Sequence, residues 1–372
     1  MLQQFRVPVE DAVRVDSEAL RSMVVALFRK VGVPPDDAAV GADALVVADL
    51  RGVDSHGVSN MLRSYITGYN AGTINPNPNW IIERQSPATA TIDCDGGLGT
   101  IIGPKAMEIA INKAKNVGLG MVTMKNGRHM GMASYHAMLA LKHDMIGVAM
   151  TAGGAGVLPT FGSEPRLGTN PIAVAVPAGK EHPFVLDIAT SVVAANKLGL
   201  ARRIGSLIPG GYVADMEGTP IMEEGPLPDQ YRPLPAGSTR ELGSHKGYGL
   251  ACVVEILCGI LSGGGYAFMP PERAAKRQIG GFPPARGEAK HMVAAYDIDV
   301  FTDVKEFKEL MDEWMQGLKE TPPAPGHDRV LVPGQPEHEA ELDRTQNGIP
   351  LHSEVIEWFK DISREMEIPY LL

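Results

Sequence analysis

Between a β-like run and a helical one stands Asp95-Gly96-Gly97-Leu98-Gly99-Thr100-Ile101-Ile102-Gly103, and its reading decides which kind of α/β protein this is. A glycine-rich turn joining strand to helix is where a Rossmann fold holds a dinucleotide pyrophosphate. The tight turn, the close backbone approach and the unbonded N–H groups of the helix start all serve that purpose. The fingerprint requires G-x-G-x-x-G. Here, after Gly97-x-Gly99, the third glycine arrives one residue late. No clear acidic residue ends a next strand about 20 positions on, where a ribose hydroxyl would be held. The segment therefore reads as a turn that starts a helix, and a nicotinamide cofactor would bind in another way.

Outward from this turn, from about Trp80 to Val300, short β-like runs alternate with helical ones. Strands are predicted at Ala88–Cys94, Met121–Met124, Ile146–Thr151, Ile172–Pro177, Phe184–Ile188 and His291–Ala295. Helices are predicted at Pro104–Asn116, Met130–His143, Ser191–Ala201 and Tyr248–Ser262. The class is α/β with α+β character, not a sandwich. Upstream lie three helices. The first is capped by Ser17 and carries Leu20, Met23, Val24, Leu27 and Phe28. The second runs from about Asp36 through Ala48, and the third follows His56 to Tyr69. The Asn/Pro/Gly-rich stretch 72–79 marks a boundary. Downstream, helices are predicted at Val304–Leu318, Glu337–Asn347 and Glu354–Met366, with a loop at Pro322–Gly334.

The chain has 372 residues, 44% hydrophobic and 21% charged, a globular composition able to bury a large core. A formal net charge of −10 and the lack of any Lys/Arg run argue against a nucleic-acid partner. An anionic substrate then needs a local cationic pocket. The three cysteines, Cys94, Cys252 and Cys258, form no CxxC pair, so a cytoplasmic protein without disulfides or a zinc site is expected. Residues 1–6 show no apolar signal region. The apolar stretch 247–265 contains Glu255 and several glycines, which reads as a buried helix and not a membrane span.

Two histidines sit beside glycines near helix starts: His56 in Asp54-Ser55-His56-Gly57 and His129 in Gly127-Arg128-His129-Met130-Gly131. Carbonyl reduction needs a proton donor within reach of the oxygen, and imidazole suits that task near neutrality. His129, His136 and His143 recur every seven residues, about 10 Å of helical rise, too far apart to share one metal ion; no metal is expected, and His136 and His143 read as helix-face residues. Lys246, in His245-Lys246-Gly247-Tyr248-Gly249, is a cation at a helix start, unfavourable there unless an anion joins it. Asp187, ending a strand before Ala189-Thr190-Ser191, can accept from ribose hydroxyls or cap a helix.

The ordered blocks Leu50-Arg51-Gly52-Val53-Asp54-Ser55-His56-Gly57, Gly127–Gly131, Gly168-Thr169-Asn170-Pro171-Ile172-Ala173, Asp187–Ser191, Lys246–Leu250 and Val332-Pro333-Gly334 are together similar to the malate/L-lactate dehydrogenase type 2 family. That family includes sulfolactate, ureidoglycolate and diketogulonate oxidoreductases and piperideine/pyrroline-2-carboxylate reductases. The likeness covers about residues 15–352. It implies a non-Rossmann NAD(P)-binding domain with a mixed sheet over residues 76–302. A helical domain would form from residues 1–75 together with 303–372, and the protein would be a homodimer. It implies that Asp187, Ile188, Ala189, Thr190 and Ser191, with His245, Lys246, Gly334 and Gln335, hold NAD or NADP. His56 and His129 would be the proton-transferring and substrate-orienting histidines, with His56 slightly preferred as acid/base. Many relatives carry Arg four residues after the counterpart of His56; here that position is Asn60. His56, Asn60 and Arg63 stand at i, i+4 and i+7, so Arg63 is expected to clamp the substrate carboxylate. The expected reaction is hydride transfer between nicotinamide and a small 2-hydroxy/2-oxo acid. The alternatives are a cyclic-imine reductase and a non-catalytic ligand-binding relative.

Overall fold

The computed structural model describes residues 7–270, 272–273 and 288–372. Its strands are β1 (Ala12–Val15), β2 (Ile81–Gln85), β3 (Thr89–Asp93), β4 (Leu119–Gly127), β5 (Met145–Ala152), β6 (Ile172–Val176), β7 (Phe184–Ile188), β8 (Val213–Ala214), β9 (Arg232–Pro233), β10 (Ala289–Asp297) and β11 (Ile349–His352). Its helices are α1 (Ser17–Lys30), α2 (Pro35–Leu50), α3 (Val58–Asn70), α4 (Gly99–Val117), α5 (Ala133–Met138), α6 (Ala195–Ile204), α7 (Ser244–Val254), α8 (Val304–Lys319), α9 (Gln335–Asn347) and α10 (Ser353–Glu365).

Seven strands form one mixed sheet in the order β2-β3-β4-β10-β5-β6-β7. β3 and β4 pair in parallel, and the other neighbours are antiparallel. Period-two alternation decides what each face buries. On β10, Val293 and Ala295 enter the core with α4 and α5, through Ala106, Ala110 and Ala137. Met292 and Ala294 face the other way, toward Val254 and Cys258 of the α7 segment. Both faces of the central strands are covered, which is why they read as continuous apolar runs.

A second core joins the two chain ends. Leu20, Met23, Val24, Leu27 and Phe28 of α1 pack with Leu45 of α2, Leu62 and Tyr65 of α3, and Val355, Phe359 and Ile362 of α10. β1 pairs antiparallel with β11 beside them. Helix α8 is fastened elsewhere: the Asp312 carboxylate accepts N–H bonds from Gly179, Lys180 and Glu181, in the turn between β6 and β7.

The six predicted strands are all present. Several details differ, the first being that the helix expected from Pro104 already begins at Gly99. The Asp16 side chain, not Ser17, caps α1, accepting from the Glu18 and Ala19 N–H groups. The helix expected from Met130 begins at Ala133, because Gly131 at φ 73° breaks the run. The helix expected from Ser191 begins at Ala195, since Ser191 is held in a bridge to Pro235. The apolar helix starts at Ser244 and passes into a π-helical turn over Glu255–Ile260. No helix among the described residues is long and apolar enough to cross a membrane.

Candidate active site

The glycine-rich turn explains itself through what docks on it. The Gly99 and Thr100 N–H groups, at the start of α4, donate to the Arg128 carbonyl at 3.2 Å and the His129 carbonyl at 3.3 Å; Arg128 N–H donates back to the Gly97 carbonyl at 2.9 Å. The donors that would grip a pyrophosphate are thus spent on the loop carrying His129. A Cβ on Gly99 would lie 2.7 Å from the Arg128 oxygen and 2.8 Å from His291 Nε2, so the glycine permits close backbone approach to protein. The linker 72–79 is anchored on the same turn, Asn75 donating to the Asp95 carbonyl and carboxylate at 3.0 Å each.

His56 is held by a different device. It ends a short 3-10 turn, Asp54–His56, and Gly57 then starts α3. The buried Asp49 carboxylate accepts from the Val58 N–H at 2.7 Å, capping α3 from a neighbouring helix. Arg344 of α9 pairs with the Asp54 carboxylate. The Asn196 amide of α6 donates to the Ser55 carbonyl at 2.7 Å, and the Asn60 amide donates to the Asp54 carbonyl at 2.6 Å.

The two histidines, 73 positions apart in sequence, meet in space. Their rings stack with centroids 5.6 Å apart and planes 14° from parallel. The Tyr65 hydroxyl lies 2.6 Å from His129 Nδ1, and the Gly131 N–H donates to the same nitrogen at 3.2 Å. Burial, with Lys197 as a neighbouring cation, lowers the His56 imidazole to about 4. Burial, with His56 and His291 beside it, lowers His129 to about 3. Burial thus favours the neutral form of both rings at pH 7. Burial holds the Tyr65 phenol well above its usual range.

Both rings line one cleft of about 830 Å³. Its other walls are the end of β7 with the segment after it (Asp187, Ile188, Ala189, Ser191), the start of α6 (Asn196, Lys197), and the loop Leu331–Gly334 with Glu337. Asp187 opens to the cavity, and one of its oxygens accepts from the Ser134 N–H at 2.7 Å. Desolvation raises its carboxyl, with Glu337 raising it further and Arg51 opposing. Thr190 turns inward, its hydroxyl donating to the Thr169 and Asn170 carbonyls. It ties the strand end to the buried Asn170, which in turn donates to Glu255.

Other predicted residues lie elsewhere. Arg63 and Asn60 line a separate groove with Ser64, Thr67 and Glu354, and the Arg63 guanidinium sits 5.1 Å over the Trp358 ring. Helical spacing counted from His56 fails because α3 begins only at Val58, after the extended Gly57. His245 and Lys246 are exposed at the start of α7, outside the lining of the histidine cleft, since α7 packs on the sheet face opposite α4 and α5. Gly334 lines the cleft, but the Gln335 side chain turns to the Val332 N–H and Glu339. His136 is fully buried, its Nε2 bonded to the Met130 carbonyl at 2.9 Å, whereas His143 is exposed.

Sequence reasoning gave no role to three residues of this site. Lys197 bears on His56, Tyr65 touches His129, and Arg51 lines the cleft, paired at 2.7 Å with Glu341. The sequence profile of malate/L-lactate dehydrogenases matches residues 15–360. The chain belongs to the malate/L-lactate dehydrogenase family. It is 38% identical to the malate dehydrogenase of Pyrococcus horikoshii, over 96% of this chain and 97% of that one. It is 37% identical to the L-sulfolactate dehydrogenase of Methanocaldococcus jannaschii, over 93% and 95% of the two chains. The crystal structure of malate dehydrogenase from Entamoeba histolytica superposes with a TM-score of 0.88 at 31% identity, covering 96% of this chain and 99% of that one. The protein is accordingly an oxidoreductase.

Proposed function

We propose that the chain interconverts a small 2-hydroxy acid and its 2-oxo acid with NAD or NADP, and that the cleft shared by His56 and His129 is where this happens. The observation that carries the reading is the meeting of two desolvated imidazoles with a cation, Lys197, in one cavity. A dinucleotide fits the residues present. Asp187 offers a carboxylate to ribose hydroxyls at a strand end, Ile188, Ala189 and Ser191 continue the wall, and Gly334 with Val332 closes it from the other side. The fold would then be a non-Rossmann nucleotide-binding domain over residues 76–302, with residues 1–75 and the C-terminal helices as a second body. When bound, the nicotinamide supplies or accepts the hydride. The protein's own groups place the substrate carbon, exclude water and move a proton at its oxygen. A neutral His56 takes the hydroxyl proton during oxidation and returns it in reduction.

The substrate carboxylate needs a cation in the same cavity, and Lys197 takes the part first expected of Arg63. Imine reduction is the less favoured reading, because the relatives matching nearly the whole chain are named hydroxy-acid dehydrogenases. The test is NADH and NADPH oxidation against a panel of 2-oxo acids and cyclic imines, run on wild type and Lys197→Met. Turnover of a 2-oxo acid is expected. Lys197→Met should raise its KM on the order of 100-fold, the loss expected when a buried carboxylate loses its charged partner. Because Lys197 lowers His56, the variant's acid limb in oxidation should also move to higher pH. A KM and pH profile both unchanged would remove Lys197 from the substrate site.

We propose a homodimer on the outer face of α7 and the turn after it. Leu250, Val253, Ile256 and Ile260 there are 44–53% exposed, an apolar stripe that a monomer would leave in water. Light scattering should give twice the 39.7 kDa chain mass, falling toward one in Ile256→Asp. A wild-type monomer would end this proposal.

A further inference from the structure

The two histidines of the cleft are not equivalent in their bonding. His56 Nδ1 lies 2.9 Å from the Ser55 hydroxyl, a rotor that can donate or accept. That contact permits either tautomer of His56 and either charge. His129 Nδ1 faces the Gly131 N–H at 3.2 Å and the Tyr65 hydroxyl at 2.6 Å. A backbone N–H can only donate, so Nδ1 must accept, and the ring proton must sit on Nε2. Gly131 holds φ 73° and a Cβ there would lie 2.6 Å from Thr100 Cγ2, so this N–H is fixed by the turn. Tyr65 is 2% exposed, in the wall of the helical core, so its ring is held in place, and with Nδ1 already an acceptor for Gly131 the hydroxyl donates to it as well.

We propose that Tyr65 is a positioning residue that, with the Gly131 N–H, locks His129 as a neutral Nε2–H donor to the substrate oxygen, leaving His56 to carry the transferred proton. This rests on the reading that both rings face the substrate. In oxidation of a 2-hydroxy acid, the C–H bond electrons leave as hydride to the bound nicotinamide, and the O–H proton passes to His56. The O–H bond pair becomes the carbonyl π bond. His129 keeps its Nε2–H throughout, and its hydrogen bond is strongest while the oxygen carries alkoxide charge. Were His129 to take the proton instead, Nδ1 would still hold two donors against it.

The experiment is imidazole 15N NMR of wild type, Tyr65→Phe and His129→Asn, the last used for assignment, together with steady-state kinetics. In wild type at neutral pH, His129 should show a protonated Nε2 and an unprotonated Nδ1. Tyr65→Phe leaves the Gly131 N–H as the one donor on Nδ1, so an Nδ1-protonated minor form absent from wild type should appear, and kcat should fall about tenfold, the worth of one hydrogen bond. The Kd for dinucleotide should not change. A wild-type His129 protonated on Nδ1 overturns the proposal, whether or not the variant folds. So does a Tyr65→Phe protein with wild-type tautomer and kcat. If the tautomer responds as expected but His129→Asn turns over like wild type, the lock stands and the catalytic reading of the cleft falls.

Discussion

His56→Ala is expected to lower kcat by about 10²–10⁴-fold, the usual contribution of a positioned acid or base, while the Kd for NAD(H) or NADP(H) stays within about twofold. The reasoning is spatial. His56 and the strand-end residues Asp187–Ser191 line one cleft but stand on separate elements, a turn before α3 and the end of β7. Removing the imidazole leaves the walls proposed for the dinucleotide intact. His129→Asn should be as damaging in kcat, because an amide keeps one hydrogen-bond donor but not the ring placed against Tyr65. The two should part in pH dependence. His56 is lowered to about 4, so free wild-type enzyme should hold its kcat/KM for oxidation across neutral pH and lose it only as pH falls toward that value. His129→Asn removes a neighbouring imidazole and should leave this limb in place, whereas His56→Ala should abolish it. Stopped-flow and steady-state measurement with the best 2-hydroxy acid decides this, and near-wild-type turnover in both variants would sink the proposal.

How much of this was legible in the sequence depends on how local each signal is. The central strands were readable because both faces of β5, β6 and β10 are covered and each carries an apolar or small run: 146–151, 172–176 and 292–295. β1 and β11 were not, because four-residue strands whose partners lie more than 330 positions apart carry no local mark. The failed fingerprint at residues 95–103 was informative: its glycines serve the docking of the His129 loop. Only the structure reveals what they approach. The histidines were found because glycines frame them in sequence. Lys197 and Tyr65 were passed over because each sits in a run with an ordinary helical reading, Tyr65 among the apolar residues of α3. Arg63 was misplaced because the helical phase was carried backward through Gly57 into a turn that is not part of α3.

Gly57 shows how tightly that turn is specified. Its φ of −86° is open to any residue, so conformation does not demand glycine. Space does. A Cβ at this position would overlap the Asp49 carboxylate, which is 1% exposed and caps α3 through the Val58 N–H. The carboxylate has little room to retreat, because Arg344 bridges the Asp49 carbonyl and the Asp54 side chain beside it. Gly57→Ala must therefore either push the turn outward, moving His56, or displace a buried carboxyl group from its donor. Overpacking typically costs about 1–3 kcal/mol and an uncompensated buried polar group about as much again. We expect a loss of about 3 kcal/mol or more in urea unfolding and at least a tenfold loss in kcat. Gly317→Ala, in α8 with nothing near its added methyl, is the control. It should be neutral or stabilising by up to about 1 kcal/mol. If Gly57→Ala unfolds and turns over like Gly317→Ala, Asp49 does not hold the turn, and the account of how His56 reaches the cleft fails with it.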